Sequence, residues 1–446
     1  MKPTNKTSRR KFLGNSAALG ALGVIGASQL IRSCSTGESG GVLVVPEFLS
    51  AAPDGEPLKA GVVGCGGRGS GAAVDFLNAG PGLSIVAVGD VFQDRVDGIR
   101  TQLKEKKNVE VDDAKCFTGF DAFKRVIESG VDIVILATPP YFRPEHFQAC
   151  VEARKHVFME KPVAVDPAGA RAVMAASKQA EAAGLSVVTG TQRRHSWRYN
   201  NVIARIRSGM IGDIVSSNVY WNQSKLWYRE NQAGWTEMEY MIRDWVNWTW
   251  LSGDHIVEQH IHNIDVSNWF VGKAPVKAVG MGSRQRRVTG DCYDNFSVDF
   301  VYDENVHMHS MCRQINDCAN NVSELIRGTK GYTNGSNTVW DHEGNVLYEY
   351  IPALDEQGDP VDVNDYVQEH IDLVTAIRTG NQIVEAEETA RTNLTAIMGR
   401  ESAYTGKEVT WEDMMGSGLK LGPEGELALG PVDLKAVIPI PGSAPE

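Results

Sequence analysis

The stretch VVGCGGRGSG places Gly64, Gly66 and Gly69 in a G-x-G-x-x-G spacing, directly after an apolar run and at the head of an amphipathic one. Glycines at these positions permit a tight turn, leave bare backbone for a pyrophosphate, and let the following helix pack close to its strand. The helix N-terminus then offers unpaired N–H groups to the phosphates. A second apolar run, LSIVAVGD, ends in Asp90, where a carboxylate accepts hydrogen bonds from the adenine-side ribose hydroxyls. A carboxylate there repels a 2′-phosphate and favours NAD over NADP, although Arg68 and Arg95 stand close enough in sequence to soften that choice. A glycine turn in some other doubly wound protein is the plain alternative. We assign the dinucleotide to Gly64, Gly66, Gly67, Arg68 and Gly69, to Asp90, to Thr138 and Pro139 ending VDIVILATPP, and to Glu160 and Lys161.

Lys161 lies in MEKPV at the carboxyl end of another apolar run, the rim where ligands bind in open parallel sheets. A lysine there can hydrogen-bond a substrate hydroxyl and hold the oxygen anion that forms as hydride leaves its carbon. A solvated surface lysine is the competing reading. In GDHIVEQHIHNIDVSNW, helical spacing puts His255, Glu258, His262 and Asp265 on one face, beside a stripe of Val257, Ile261 and Ile264. His262 then reads as a base, with Glu258 one turn earlier orienting it. The same donors suit a metal ion, and satisfied structural histidines are a third reading; we take the base and expect no metal. Eight of the ten tryptophans fall between Trp197 and Trp269. Indoles stacked on the C–H faces of a sugar would explain that clustering, as would a place in the core.

From Leu58 onward, strand-length apolar runs alternate with amphipathic stretches, the pattern of a parallel sheet covered on both faces. Residues 58–190 are therefore expected to form a doubly wound Rossmann sheet in an α/β protein. Beyond His195 the runs lengthen and alternate, as in DIVSSNVYWNQ, NFSVDFVYD and VHMHSMCRQ, and predict a large, mostly antiparallel open sheet. One helix is expected around IVEQHIHNIDVSNWF, ended by Gly272, and two more over VNDYVQEHIDLVTAIRTG and AEETARTNLTAIMGRESAYTG. These make a second α/β domain over 191–411, with 412–446 a surface arm or disordered tail.

The head of the chain reads differently. Arg9 and Arg10, then Lys11, Phe12, Leu13 and the uncharged run GNSAALGALGVIGASQLI, have the form of a twin-arginine export signal. Residues 1–52 are read as signal peptide and linker, with lipid attachment at Cys34 or cleavage after Ala52, and the fold is expected to start at Leu58. The export machinery is thus an expected partner, and the periplasm or cell envelope the expected location. That route carries folded cargo, so a bound dinucleotide has to be loaded first, retained, and reset in place.

About 390 residues then remain, enough for two domains with their own cores. The formal charge of −12 drops to about −18 once the six basic side chains of residues 1–34, where no acid occurs, are removed. Such a surface argues against nucleic acid and suits a neutral small substrate. Beyond Cys34 six cysteines remain, none in a C-x-x-C pair, and they read as small buried hydrophobes; a Cys312–Cys318 bridge stays open.

With the twin arginine, G-x-G-x-x-G, Glu160-Lys161-Pro162 and the His262 helix in this order, the chain resembles the glucose-fructose oxidoreductase and inositol dehydrogenase family (Gfo/Idh/MocA) from Leu58 to about Trp411. The resemblance implies an N-terminal Rossmann domain, a C-terminal α/β domain whose open sheet mediates a homo-oligomer, dimer or tetramer, and hydride transfer on sugars or polyols. It maps the family's catalytic lysine to Lys161 and its Asp-x-x-x-His pair to Glu258 and His262. Here the acid is glutamate, and His260 stands where the family often has glycine. The segment TQRRHSWRYN is similar to the substrate-facing segment of exported members, which makes Gln192, Arg193 and His195, together with His260 and Asp265, candidates for substrate contact. The expected activity is NAD-dependent oxidation of a ring hydroxyl of a small carbohydrate, with position 3 favoured because its ketone lies next to acidic C–H bonds. Two alternatives stand beside it. One is a glycoside hydrolase or lyase that uses bound NAD for transient oxidation, although the His-Gly-Leu-Gly-type segment of the NAD-dependent N-acetylgalactosaminidases is missing. The other is a noncatalytic, NAD-retaining sugar-binding protein.

Overall fold

The structure, a computed structural model, describes residues 43–361 and 363–442. The twin-arginine motif and Cys34 lie outside the described residues. Six parallel strands, β1 Leu58–Val63, β2 Leu83–Asp90, β3 Cys116–Thr118, β4 Ile133–Leu136, β5 His156–Met159 and β6 Val187–Thr189, form a sheet in the order β3-β2-β1-β4-β5-β6. All four residues of β4 are buried, as a strand covered on both faces requires. The order reverses between β1 and β4, and the crevice beyond their carboxyl ends is where this architecture takes ligands. The glycine turn opens the helix Gly67–Asn78 at that point. Gly64 sits at φ +92°, and a Cβ on Gly69 would lie 1.8 Å from the Gly64 carbonyl oxygen, so both positions need glycine to bring helix against strand.

The second sheet has nine strands: β7 Ile214–Gln223, β8 Lys277–Ser283, β9 Asn295–Val301, β10 His307–Gln314, β11 Asn321–Gly328, β12 Gly331–Thr333, β13 Thr338–Asp341, β14 Val346–Glu349 and β15 Val409–Thr410. Their order is β14-β13-β12-β11-β7-β10-β9-β8-β15, antiparallel except where β10 meets β7. Period-2 alternation buries Met308, Ser310, Cys312 and Gln314 of β10 beneath the helices, while Met311, like Val279 and Met281 of β8, is exposed on the outer face. That outer face mixes these apolar residues with Lys277, Asp299, His309 and Arg313.

Several expected boundaries are corrected. The helix expected through 255–271 is two, His255–Glu258 and Ile261–Val271, broken at Gln259 and ended by Gly272 at φ +83°. The helix Asp365–Thr379 returns to the first domain, where Ile371 and Val374 join the core of Ala72, Ala73 and Phe76, and Val384 bridges Val187. The second domain is therefore not a continuous 191–411 block. The fold also begins before Leu58: Ala52 is buried and its N–H donates to the Ala79 carbonyl at 2.7 Å, and Phe48 stacks on Trp197. As far as residue 442 the C-terminal segment is a docked arm, with Val432 buried and the Leu421 N–H donating to Asp166 at 2.8 Å. Cys312 is buried under the sheet and Cys318 is exposed; both are free thiols, so no bridge joins them.

Candidate active site

A cleft of about 480 Å³ opens at the reversal point, lined by Gly64, Gly66, Gly67, Arg68, Asp90 and Thr138, with Pro139 and Phe120 on its wall. It has the chemistry a dinucleotide needs. Nothing lies within 4 Å of where a Cβ would stand on Gly66 or Gly67. The helix that follows has no capping side chain and no acid in its first turn, which leaves its N–H groups to an anion. Asp90 is held by the backbone N–H groups of Cys65 at 2.7 Å and Phe92 at 3.0 Å, so its carboxylate is fixed at the rim of β2. Thr138 lies beside His146, its hydroxyl 3.4 Å from the ring Nδ1. Gly69 lies beneath the turn and serves packing.

Three of the cofactor assignments need refinement. Arg68 turns its guanidinium to carboxylates, with Nε 2.5 Å from Glu160, one terminal nitrogen 3.2 Å from Asp75 and the other 3.6 Å from Glu369. Glu160 is buried, its carboxyl accepting from Arg68 and lying against Gly190, and it is not among the residues that line the cleft. Lys161 does not line the adenosine half either: it points across to the second domain.

There its Nζ donates to the Glu258 carbonyl at 2.6 Å and to the Glu258 carboxylate at 3.3 Å. Glu258 thus fixes Lys161, and not His262 as expected; its other carboxylate oxygen accepts from Gln259. The break at Gln259 accounts for this: the His262 N–H donates to the Gln259 carbonyl, which leaves the Glu258 carbonyl to accept from Lys161. His262 stacks on Trp221 at 5.6 Å between centroids. Its ring nitrogens have no hydrogen-bond partner among the described residues. Burial first, then the positive charges of Lys161, Arg193 and Arg68, hold its pKa well below the ordinary imidazole value, which favours the neutral ring.

The remaining substrate candidates divide. Arg193 belongs to the site wall, paired with Glu324 and lying over Trp221 at 5.9 Å. Gln192 donates to the Tyr366 hydroxyl at 3.3 Å, with no contact shown to Lys161 or His262. His195, His260 and Asp265 do not reach the site. His195 is buried between Asp372 at 2.6 Å and Glu385 at 3.2 Å; burial opposes its charge, but the two carboxylates outweigh that and lift its pKa well above the usual value. His260 turns under the sheet to Ser310 at 2.8 Å, and burial lowers its pKa to about 3. Asp265 is held by two hydrogen bonds from Arg194, both 2.8 Å, and one from Thr392 at 2.9 Å. His255 pairs with Asp254, so the four residues expected on one face diverge, and no trio of metal-ligating side chains converges among the described residues.

Sequence reasoning missed three contributors. Trp221 sits at an inward position of β7, which the alternation in SSNVYWNQ marks only as inward-facing. Glu324 on β11 anchors Arg193 and accepts from Asn263 at 2.6 Å. Arg143 donates to the carbonyls of Glu160 at 2.9 Å and Pro162 at 2.5 Å and so grips the segment around Lys161. Burial draws its pKa down to about 10, with Glu160 and Glu258 opposing, and it remains a cation. No spacing in RPEHF signals this contact. Of the eight clustered tryptophans, only Trp221 stands beside His262; Trp227 and Trp245 line the cofactor cleft, and Trp248 and Trp250 join an apolar cluster between the domains.

Residues 58–188 match a family model described as an oxidoreductase family with an NAD-binding Rossmann fold, and residues 199–333 match the GFO/IDH/MocA C-terminal domain. A glycosyl hydrolase family 109 protein of Streptomyces coelicolor is 30% identical over 171 residues, 37% of this chain and 35% of that protein. An inositol 2-dehydrogenase of Rubrobacter xylanophilus is 27% identical over 218 residues, 49% of this chain and 53% of that protein. The chain thus spans about a third to a half of the length of these curated relatives. Among solved structures, the scyllo-inositol dehydrogenase of Lactobacillus casei with bound NAD(H) and scyllo-inositol superimposes with a TM-score of 0.58 at 20% identity, covering 80% of this chain and 99% of that one, a likeness of fold.

Proposed function

Because the chain belongs to the Gfo/Idh/MocA oxidoreductase family, with an NAD-binding Rossmann domain, we propose that it oxidises a ring CH–OH of a sugar or cyclic polyol, using a firmly held NAD. The observation that carries this reading is the pairing of a lysine fixed by Glu258 with a neutral, unpartnered His262 at the rim of the Rossmann sheet. NAD, when bound, supplies the acceptor for the hydride. Lys161 donates a hydrogen bond to the substrate oxygen and stabilises the negative charge that develops there. His262 takes the hydroxyl proton, and Trp221 offers an aromatic face that fits the C–H side of a ring. Glu258 and Arg143 keep Lys161 in register. The experiment is a panel of inositols, aldoses and glycosides added to the purified protein, with the reduced nicotinamide read by absorbance. Growth of that band with at least one polyol is expected; none across the panel, with nucleotide bound, would remove the oxidoreductase reading.

A second reading, cleavage of a glycoside by transient oxidation on the same residues, draws support from the 30% match to a glycosyl hydrolase family 109 protein. Phenol release from aryl glycosides without any external electron acceptor separates it from net oxidation. A protein that binds sugar while its nicotinamide never changes would instead be the noncatalytic alternative.

The reading of Arg9 and Arg10 as a twin-arginine address belongs to the same proposal. Replacing both with lysine is expected to hold the folded precursor inside the cell; unchanged recovery from the envelope fraction would remove that assignment.

A further inference from the structure

Residues 224–250 leave the carboxyl end of β7 and cross to the first domain, where Trp227, Arg229, Ile242, Arg243 and Trp245 line the same cleft as Asp90 and Phe92. Asp90 and the residues after it mark the adenosine end of a Rossmann site. The crossing segment is fastened on both sides. Arg243, on the helix Glu237–Arg243, donates to the two carboxylate oxygens of Asp94 at 3.1 and 2.9 Å and to Glu239 at 2.8 Å. Its guanidinium lies 3.9 Å from the ring centre of Phe92 and 5.1 Å from that of Trp235. From the other side the C-terminal arm holds the same helix: the Val432 N–H donates to Glu237 at 2.9 Å, and the Met238 N–H donates to the Gly430 carbonyl at 3.0 Å. Underneath, Phe92 and Phe142 of the first domain, Met241 and Trp250 of the crossing segment and Val432 of the arm share one buried apolar cluster.

We propose that this segment, fixed by Arg243 on Asp94 and Phe92 and backed by the C-terminal arm, is a clamp over the adenosine half of NAD that keeps the cofactor from exchanging with solution. The proposal rests on the NAD reading and gives a role to three features which that reading leaves idle: the tryptophan density of 227–250, the arm, and the second domain's reach over the first. An adenosine group leaving the cleft has to displace the clamp, so the device acts on the dissociation rate. The ion pair to Asp94, whose side chain is 58% exposed, is weak by itself. The stack on Phe92 is drier, and one guanidinium makes both contacts, so a single substitution removes the joint.

The test uses the full protein as purified, carrying its own nucleotide. Isotopically labelled NAD is added in excess, and exchange is timed by gel filtration and mass analysis of the nucleotide that stays bound. Arg243→Ala is expected to exchange about tenfold faster or more than the unaltered protein. Asp94→Asn alters only an exposed side chain and is expected to move in the same direction, and the double variant to fall short of the product of the two because both act on one joint. Exchange at the unaltered rate in both single variants would overturn the clamp and leave the NAD reading standing. An unaltered protein that neither carries nor takes up nucleotide would overturn both.

Discussion

Lys161→Met is expected to retain bound nucleotide at the level of the unaltered protein while turnover falls by about a thousandfold. Methionine keeps the length and apolar stem of lysine, so the packing at the rim of β5 survives; what disappears is the ammonium that Glu258 aims through its carbonyl at 2.6 Å and its carboxylate at 3.3 Å. The cleft that we assign to the pyrophosphate and ribose is lined by Gly66, Gly67 and Asp90, not by Lys161, which is why binding and turnover should separate. Nucleotide content after gel filtration and the initial rate with a responsive polyol measure the two quantities. Equal loss of both would mean that Lys161 builds the cofactor site instead of acting on substrate, and an unchanged rate would take it out of the chemistry.

His262→Asn is expected to cost about 10²- to 10⁴-fold in turnover, the range for loss of a positioned base. Its pH signature is more specific than its size. The active form of the base is the neutral ring, and burial together with Lys161, Arg193 and Arg68 lowers its pKa in the folded protein. A lowered pKa keeps the ring in its active form as pH falls through the ordinary imidazole value near 6.5, and the rate declines only at still lower pH. The profile of kcat/KM should therefore show no step at that value. In Lys161→Met one of the opposing charges is gone, the His262 pKa rises, and the acid limb of the residual activity moves to higher pH. A step near the ordinary value in the unaltered protein, or an acid limb that stays put in Lys161→Met, would contradict the assignment of His262 as the base.

What the sequence disclosed, and what it withheld, follows from the range of each signal. Gly64, Gly66, Gly69 and Asp90 were legible because a Rossmann turn fixes chemistry at short, regular spacing, and the near-continuous Val and Ile runs of β1 to β6 carry the parallel sheet with it. Lys161 was legible as a strand-end residue. Its partner was not: Glu258 is 97 residues away, and the backbone break at Gln259 that frees its carbonyl for Lys161 leaves no mark in a helical wheel. The same break separates His255 from His262, and Asp265, on the helix that carries His262, is drawn off by Arg194, 71 residues away in sequence, as His255 is by Asp254. Periodicity also does not report which buried polar group answers which. The family resemblance implies substrate contacts for His195 and His260, yet both are absorbed by partners distant in sequence, Asp372 and Glu385 for the one and Ser310 for the other. Residues 412–446 read as a surface arm or disordered tail because glycine and proline break their pattern, while the few apolar residues that dock the arm, Leu421 and Val432 among them, are too sparse to register as an element.

The central claim is that NAD is lodged between the glycine turn and the Lys161/His262 pair and accepts hydride there. It is tested most directly by adding a cyclic polyol or sugar to the freshly purified protein, with no nucleotide supplied, and following the near-ultraviolet band of reduced nicotinamide. A single-turnover change is expected, with an amplitude that matches the nucleotide released on denaturation. A preparation that carries no nucleotide, and that gives no band with any substrate even after NAD is added, would contradict it.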